Sequence, residues 1–124
     1  MTQPLALVLY EKLLPGSQIV NRLQDLNYRV QVIAEASRLV ECAEQVKPLL
    51  VLADLESRRD DVCAALARLK QNAATAHLPV VVFSREAAAD LQAAAQAAGA
   101  TLVVGETAIL NHLPQILEQA LQVD

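Results

Sequence analysis

Three acidic side chains, Glu11, Asp54 and Glu106, follow short apolar segments of the sequence. Asp54 comes directly after the run Leu49–Ala53, which is short and apolar enough to be a fully buried strand of a parallel sheet. Open α/β sheets bind their ligands at the carboxyl ends of such strands. Carboxylate oxygens bind Mg²⁺ and Ca²⁺, so the three acids could form a cation site. They could equally be solvated, with Asp54 hydrogen-bonded to backbone amides, and the sequence leaves both interpretations open.

Ser84 places a hydroxyl at the end of a second apolar run, Pro79–Phe83. The hydroxyl could belong to a site at the sheet edge, or it could cap the helix that follows, since Ala87 lies three residues further on. No GxSxG sequence surrounds Ser84, which excludes the usual hydrolase nucleophile. The segment Leu9–Gly16 contains a single glycine, so neither a dinucleotide fingerprint nor a P-loop is predicted.

The composition is that of one globular domain covering residues 1–124. Hydrophobic residues make up 54% of the chain, which supplies a sizeable core, whereas aromatic residues make up only 2%. So few aromatic rings cannot provide a stacking surface for single-stranded nucleic acid. The net charge is −4 and the basic residues are scattered, so no basic stripe is available to bind phosphates. Nucleic-acid binding by this domain is therefore not expected.

The cysteines and the amino-terminal segment both favour a cytoplasmic protein. Cys42 and Cys63 fall in helical patterns and form no CxxC pair, which is typical of free thiols in a reducing compartment. The apolar run Leu5–Leu9 is too short for a signal peptide or a membrane span. We therefore expect no contact with a membrane.

Strand-like and helix-like segments alternate along the whole chain, which predicts five βα units with helices on both faces of a parallel sheet. Gly99 is expected to end the fourth helix in a left-handed conformation, and Thr107 or Asn111 to cap the last one. The predicted strands are Leu5–Leu9, Arg29–Ile33, Leu49–Ala53, Pro79–Phe83 and Thr101–Val104. The first predicted helix follows Pro15-Gly16-Ser17, and its residues Ile19, Leu23 and Leu26 are expected to face inward. The other predicted helices span Ala36–Val46, Arg59–Gln71, Ala87–Ala98 and the region around Leu113–Leu121.

Three stretches together resemble the receiver domain of bacterial two-component response regulators, the CheY-like superfamily. They are residues 47–55 around Asp54, residues 69–84 leading into the fourth strand, and residues 97–100 before the fifth. The resemblance covers essentially the entire chain. It implies a single three-layer, doubly wound (βα)5 domain of the flavodoxin-like type, with strand order 2-1-3-4-5.

The resemblance also implies roles for residues at the carboxyl edge of the sheet. Asp54 falls at the phosphoacceptor, Ser84 at the hydroxyl that senses the phosphoryl group, and Glu11 at one of two acids that hold Mg²⁺ with Asp54. Two positions depart from the family pattern. Tyr10 stands where the other acid is expected, and Glu106 stands where the family has a lysine that pairs with the phosphoryl group.

Further departures occur in the neighbouring positions. Arg85 replaces the small residue after the hydroxyl, Val103 replaces the aromatic residue of the fifth strand, and Arg58 and Val62 replace the proline and glycine after the phosphoacceptor. Glu106 matters most, because two unit charges about 4 Å apart interact by about 4 kcal/mol at an effective dielectric constant of about 20. Repulsion at this position disfavours phosphorylation, although the Arg85 side chain could restore a positive charge.

The resemblance predicts a non-enzymatic, degenerate (pseudo-receiver) domain of bacterial phosphorelay signalling that acts through protein–protein interaction. One alternative is a working receiver, phosphorylated on Asp54 with Mg²⁺. A second is a small flavodoxin-type domain that binds a ligand at the strand ends. The expected partners are a histidine kinase or an output protein. A homodimer could form through the fourth helix, fifth strand and last helix, where Leu91, Leu110 and Leu113 lie.

Overall fold

The protein is described by a computed structural model over residues 4–10, 13–33, 35–55, 62–84 and 89–122. In these ranges the strands are β1 (Leu5–Leu9), β2 (Arg29–Ile33), β3 (Leu50–Asp54), β4 (Val80–Ser84) and β5 (Leu102–Gly105). All neighbouring pairs are parallel and the order is β2-β1-β3-β4-β5. The predicted fold class and strand order are therefore confirmed.

Helices connect the strands and cover both faces of the sheet. They are α1 (Leu13–Asp25), α2 (Leu39–Val46) preceded by a 3₁₀ turn (Ala36–Arg38), α3 (Val62–Gln71), α4 (Ala89–Ala98), α5 (Glu106–Asn111) and α6 (Leu113–Gln122). None of the helices in the described ranges is both long enough and apolar enough to cross a membrane.

The core is divided in two by the sheet, as the alternation of side chains along a buried strand requires. In β3, Val51 and Ala53 join the cluster on the side of α2, α3 and α4. Leu50 and Leu52 join the cluster on the side of α1, α5 and α6. Each fully buried Leu or Val contributes roughly 1.5–3 kcal/mol relative to an exposed side chain, so the two apolar layers hold the sheet in place.

The first helix begins earlier than the sequence predicts. α1 starts at Leu13, so Pro15, Gly16 and Ser17 lie within its first turns and do not precede it. Proline is tolerated near a helix start, because the first N–H groups of a helix have no partner inside the helix. Ile19 and Leu23 are buried as predicted, whereas Leu26 lies beyond the helix end and is 38% exposed.

The central strands end later than the apolar runs that predict them. β3 extends through Asp54 and β4 through Ser84, because the parallel ladder continues over these polar residues. Asp54 is paired with Phe83 and Ser84 with Gly105. At the other end Leu49 lies outside β3 and is 42% exposed.

The predicted last helix is in fact two helices, and neither predicted cap is correct. Thr107 lies inside the first turn of α5 and Asn111 is its last residue, while Gly105 occupies the cap position without a side-chain bond. Pro114 explains the break between α5 and α6. It has no N–H to donate to the carbonyl four residues back, and its ring would clash with that carbonyl in a continuous helix.

Gly99 ends α4 with a φ of +108°, which confirms the predicted positive-φ stop. An added Cβ would lie 2.8 Å from Cγ of Lys70, so a side chain at this position has no room. The side chains of Cys42 and Cys63 are partly buried and pack against the core on the side of α2, α3 and α4, as expected for half-buried cysteines in helices.

Candidate functional site

Asp54 and Ser84 end neighbouring strands, and the structure brings them to one edge of the sheet. Asp54 is 2% exposed and Ser84 is fully buried. The N–H of Leu55, directly after Asp54, donates to the Phe83 carbonyl over 2.9 Å. This bond holds the backbone beyond Asp54 against the end of β4. A buried carboxylate therefore lies one strand spacing, about 4.8 Å, from the strand that ends in Ser84.

Tyr10 reaches the same edge from the other side of Asp54. Leu9 is paired with Ala53, so Tyr10 follows β1 at the level where Asp54 ends β3. Its N–H donates to the Ile33 carbonyl over 3.0 Å, and its partly buried side chain packs against the core on the side of α1, α5 and α6. The position that would supply a second acid in the receiver pattern thus holds a phenol anchored in the apolar layer.

Gln92 is part of this site, and the sequence did not predict it. Its Nε2 donates a hydrogen bond to the Ser84 Oγ over 3.2 Å, from α4 to the end of β4. The two residues are eight positions apart, and no periodic pattern links a strand end to the second turn of the next described helix. The interpretation of Ser84 as a helix cap concerns residues 85–88, which lie outside the described residues.

Glu106 opens α5 immediately after Gly105, the residue paired with Ser84. Gly105 is extended, with φ −80° and ψ 161°, and it turns the chain from the strand into the helix. An acidic side chain in the first turn is favourable, because the helix dipole places partial positive charge there. Glu106 therefore has a local structural reason to be acidic where a receiver domain is expected to carry a lysine.

Val103 and Val62 fill positions in the apolar layer. Val103 is paired with Val82 and packs, partly exposed, against the core on the side of α2, α3 and α4. Val62 is the first residue of α3 and is buried in the same cluster. Both substitutions from the receiver pattern are thus accommodated as core contacts.

Four residues named by the sequence analysis cannot be placed in the site. Glu11, Arg58 and Arg85 lie outside the described residues, as does the side chain of Leu91. In the ranges that are described, no three His, Cys, Asp or Glu side chains cluster closely enough to hold a metal ion. The cation site, which depends on Glu11 together with Asp54 and Glu106, stays a prediction.

Several solved structures with the same fold are response regulators or their receiver domains. A proposed response regulator from Chloroflexus aurantiacus J-10-fl matches with a TM-score of 0.90 and 16% identity, covering 98% of this chain and 100% of that one. The BeF3-activated receiver domain of Klebsiella pneumoniae RstA gives 0.83 and 19%, covering 96% and 99%. The chemotaxis response regulator CheY4 of Vibrio cholerae gives 0.77 and 16%, covering 93% and 99%.

Sequence comparison alone finds no such relationship. No family model matches the chain, and no curated protein matches it. The structural similarity extends over nearly the full length of the chain and of the three structures. The protein therefore has the fold of response-regulator receiver domains.

Proposed function

We propose that this chain is a receiver-like module of bacterial two-component signalling, located in the cytoplasm, that acts through protein–protein interaction without phosphorylation of Asp54. It has no enzymatic activity of its own. The observation that carries the proposal is the acidic Glu106 at the start of α5, on the sheet edge that holds the buried Asp54.

The charge at this edge argues against a phosphoryl group on Asp54. Phosphoryl transfer depends on positioning and on neutralisation of the negative charge that is transferred. β4 separates β3 from β5, and Glu106 lies two residues beyond Val104, the residue level with Asp54, so the backbones of the two acids are about 12 Å apart. Both acids can thus face a group bound between them. Glu106 is only partly exposed, so solvent screens its charge incompletely.

The groups available to bind Mg²⁺ also argue against phosphorylation of Asp54. Mg²⁺ requires oxygen ligands in nearly octahedral geometry and is held through carboxylates. Tyr10 supplies a phenol at the strand end next to Asp54, where Mg²⁺ would favour the oxygens of a carboxylate. If Mg²⁺ binds, Asp54 and Glu11 would hold it, and the ion would offset part of the negative charge. Loss of one acid weakens this site compared with a receiver that has both.

The interaction surface proposed for this module is formed by α4, β5 and α5. All four residues of β5 are partly exposed at the edge of the sheet. The small side chains of Ala93, Ala94 and Ala97 are exposed on α4 and permit close approach of a partner. A histidine kinase, an output protein or a second copy of the chain could bind here.

A phosphorylation assay tests the proposal. The purified protein is incubated with Mg²⁺ and acetyl phosphate, and its intact mass is measured beside that of the Asp54→Ala and Asp90→Ala variants. Asp90 is an exposed carboxylate in the first turn of α4, and it controls for non-specific acyl phosphate chemistry. The proposal predicts no stable adduct on any of the three proteins. An adduct on the wild type and on Asp90→Ala that is absent from Asp54→Ala would show a working receiver instead.

A further inference from the structure

A cleft that the receiver-like function does not use lies at the amino ends of the strands, opposite to the carboxyl ends that hold Asp54 and Ser84. Its volume is about 360 Å³, within the range of small-molecule sites. Lys47 and Pro48 lead into β3, and His77 and Leu78 lead towards β4. The cleft therefore lies at the amino ends of the two central strands. It is separated from Asp54 by the length of a five-residue strand, about 16 Å.

The walls of the cleft carry charges of both signs above an apolar floor. Ala43, Pro48 and Leu78 are buried and form the floor. Glu44 and Lys47 lie on the wall that ends α2, and His77 lies on the facing wall. Within the described part of the chain, the Lys47 ammonium and the His77 imidazole make no side-chain hydrogen bond, so both can donate to a ligand.

The wall formed by residues 72–78 is held rigidly by its own hydrogen bonds. The Asn72 Oδ1 accepts from the Ala74 N–H over 2.9 Å, and the Thr75 Oγ donates to the Leu69 carbonyl over 2.6 Å. The Lys70 Nζ donates to the Leu78 carbonyl over 2.7 Å. A rigid wall reduces the entropy that a ligand must overcome when it binds.

The other wall is also fixed in place. The Asn72 Nδ2 donates to the Glu44 Oε2 over 3.3 Å, which ties α2 to the segment 72–78. Lys47 adopts a left-handed conformation, with φ 50° and ψ 62°, although it is not glycine. This conformation is common at the end of a helix, and here the Lys47 N–H donates to the Ala43 carbonyl over 3.0 Å, which fixes the backbone at this wall of the cleft.

We infer that this cleft binds a small zwitterion with an apolar side chain, chemically an apolar α-amino acid. Its carboxylate would accept from Lys47 and His77, its ammonium would donate to Glu44, and its side chain would lie on the apolar floor. The cleft volume is at the lower end of the range for small-molecule sites, which suits a ligand of amino-acid size such as phenylalanine.

Three related probes test the inference on the ¹⁵N-labelled full chain. L-phenylalanine has both charges, 3-phenylpropanoate lacks the ammonium, and phenethylamine lacks the carboxylate. Saturable amide shifts in residues 43–47 and 72–78 are expected with phenylalanine, and binding roughly tenfold weaker or less is expected with either analogue. Absence of a saturable shift with phenylalanine, or equal binding of all three probes, would overturn the inference.

Variants identify which groups recognise the ligand. Lys47→Met should weaken phenylalanine binding by about tenfold, whereas Arg38→Met, which removes an exposed cation near the start of α2, should not change it. Glu44→Gln should remove the preference for phenylalanine over 3-phenylpropanoate. Asp54→Ala should bind all three probes as the wild type does, which separates this cleft from the carboxyl edge. A Lys47→Met variant that keeps full affinity and a native spectrum would contradict the assignment.

Discussion

The Gln92 side chain donates a hydrogen bond to the Oγ of Ser84 over 3.2 Å and thereby ties α4 to the end of β4. Ser84 is fully buried and Gln92 is partly exposed, so the bond connects the interior of the site with a helix on the surface. A group that engaged the Ser84 hydroxyl would compete with Gln92. The position of α4, part of the proposed interaction surface, is therefore linked to the state of the site.

Removal of this bond should reduce stability. Gln92→Ala takes a donor from a buried hydroxyl, and the free energy of unfolding should fall by about 1 kcal/mol. Gln96→Ala is the matched control, because it makes the same change in the same helix at an exposed position and gains the same helix propensity. Urea denaturation of both variants measures the difference. Equal stability of the two variants would mean that the bond contributes nothing.

Gly99→Ala should destabilise the protein more than an ordinary surface substitution. A left-handed conformation costs a residue with a Cβ about 1–2 kcal/mol. The new Cβ would also lie 2.8 Å from Cγ of Lys70, so the Lys70 stem must move. Thermal or urea denaturation should show a loss of at least about 1 kcal/mol.

A double-mutant cycle separates the two causes. Lys70→Ala removes the Cγ that the new methyl group would meet, but leaves the backbone of Gly99 unchanged. The cost of Gly99→Ala should therefore be smaller in the Lys70→Ala background, with a coupling of roughly 0.5 kcal/mol or more. Additive effects would show that backbone conformation alone explains the cost.

Lys70 should make stability depend on pH. Burial lowers the pKa of its ammonium from the ordinary value of 10.5. Between the lowered value and 10.5 the folded state binds fewer protons than the unfolded state, so the free energy of unfolding rises with pH across this window. The stability of the wild type relative to Lys70→Met should thus be greater at pH 10.5 than at neutral pH. A constant difference between the two proteins would contradict the effect.

Tyr28 should lower the free energy of unfolding at high pH, whereas Lys70 should raise it. Burial raises the pKa of its phenol above the ordinary value of 10.0. Above pH 10.0 the unfolded state loses this proton first, so stability falls as pH rises through the raised value. Tyr28→Phe should lose less stability than the wild type over the same range, as measured by urea denaturation. Because Lys70→Met retains Tyr28, the phenol does not affect the comparison made for Lys70.

The sheet and the position of Asp54 could be predicted from the sequence, because short apolar runs that alternate with helical patterns specify buried parallel strands. The strand order required the family resemblance, and it proved correct. Asp54 and Ser84 were expected just past their strands but belong to them, since ladder pairing does not stop at a polar side chain.

The remaining differences arise where local signals are ambiguous. Pro15 and Gly16 usually mark a turn, yet a helix start accepts both, and α1 includes them. Pro114 lies within an apolar helical pattern, so the sequence predicted one continuous helix where the structure has α5 and α6. The Gln92–Ser84 bond and the amino-edge cleft depend on tertiary packing, which no residue spacing in the sequence reports.

The charge at position 106 is central to the proposed function, and reversing it gives the most direct test. The measurement is the rate at which Asp54 gains a phosphoryl group from acetyl phosphate with Mg²⁺, by intact mass, in the wild type, Glu106→Lys and Glu41→Lys. Glu41 is exposed in the first turn of α2 and makes the same charge change away from the site. We predict no adduct on the wild type or on Glu41→Lys. Glu106→Lys should be phosphorylated at least about tenfold faster than any reaction seen with the wild type, and adding Asp54→Ala to Glu106→Lys should abolish the adduct. A wild type that is phosphorylated as fast as Glu106→Lys would contradict the proposal.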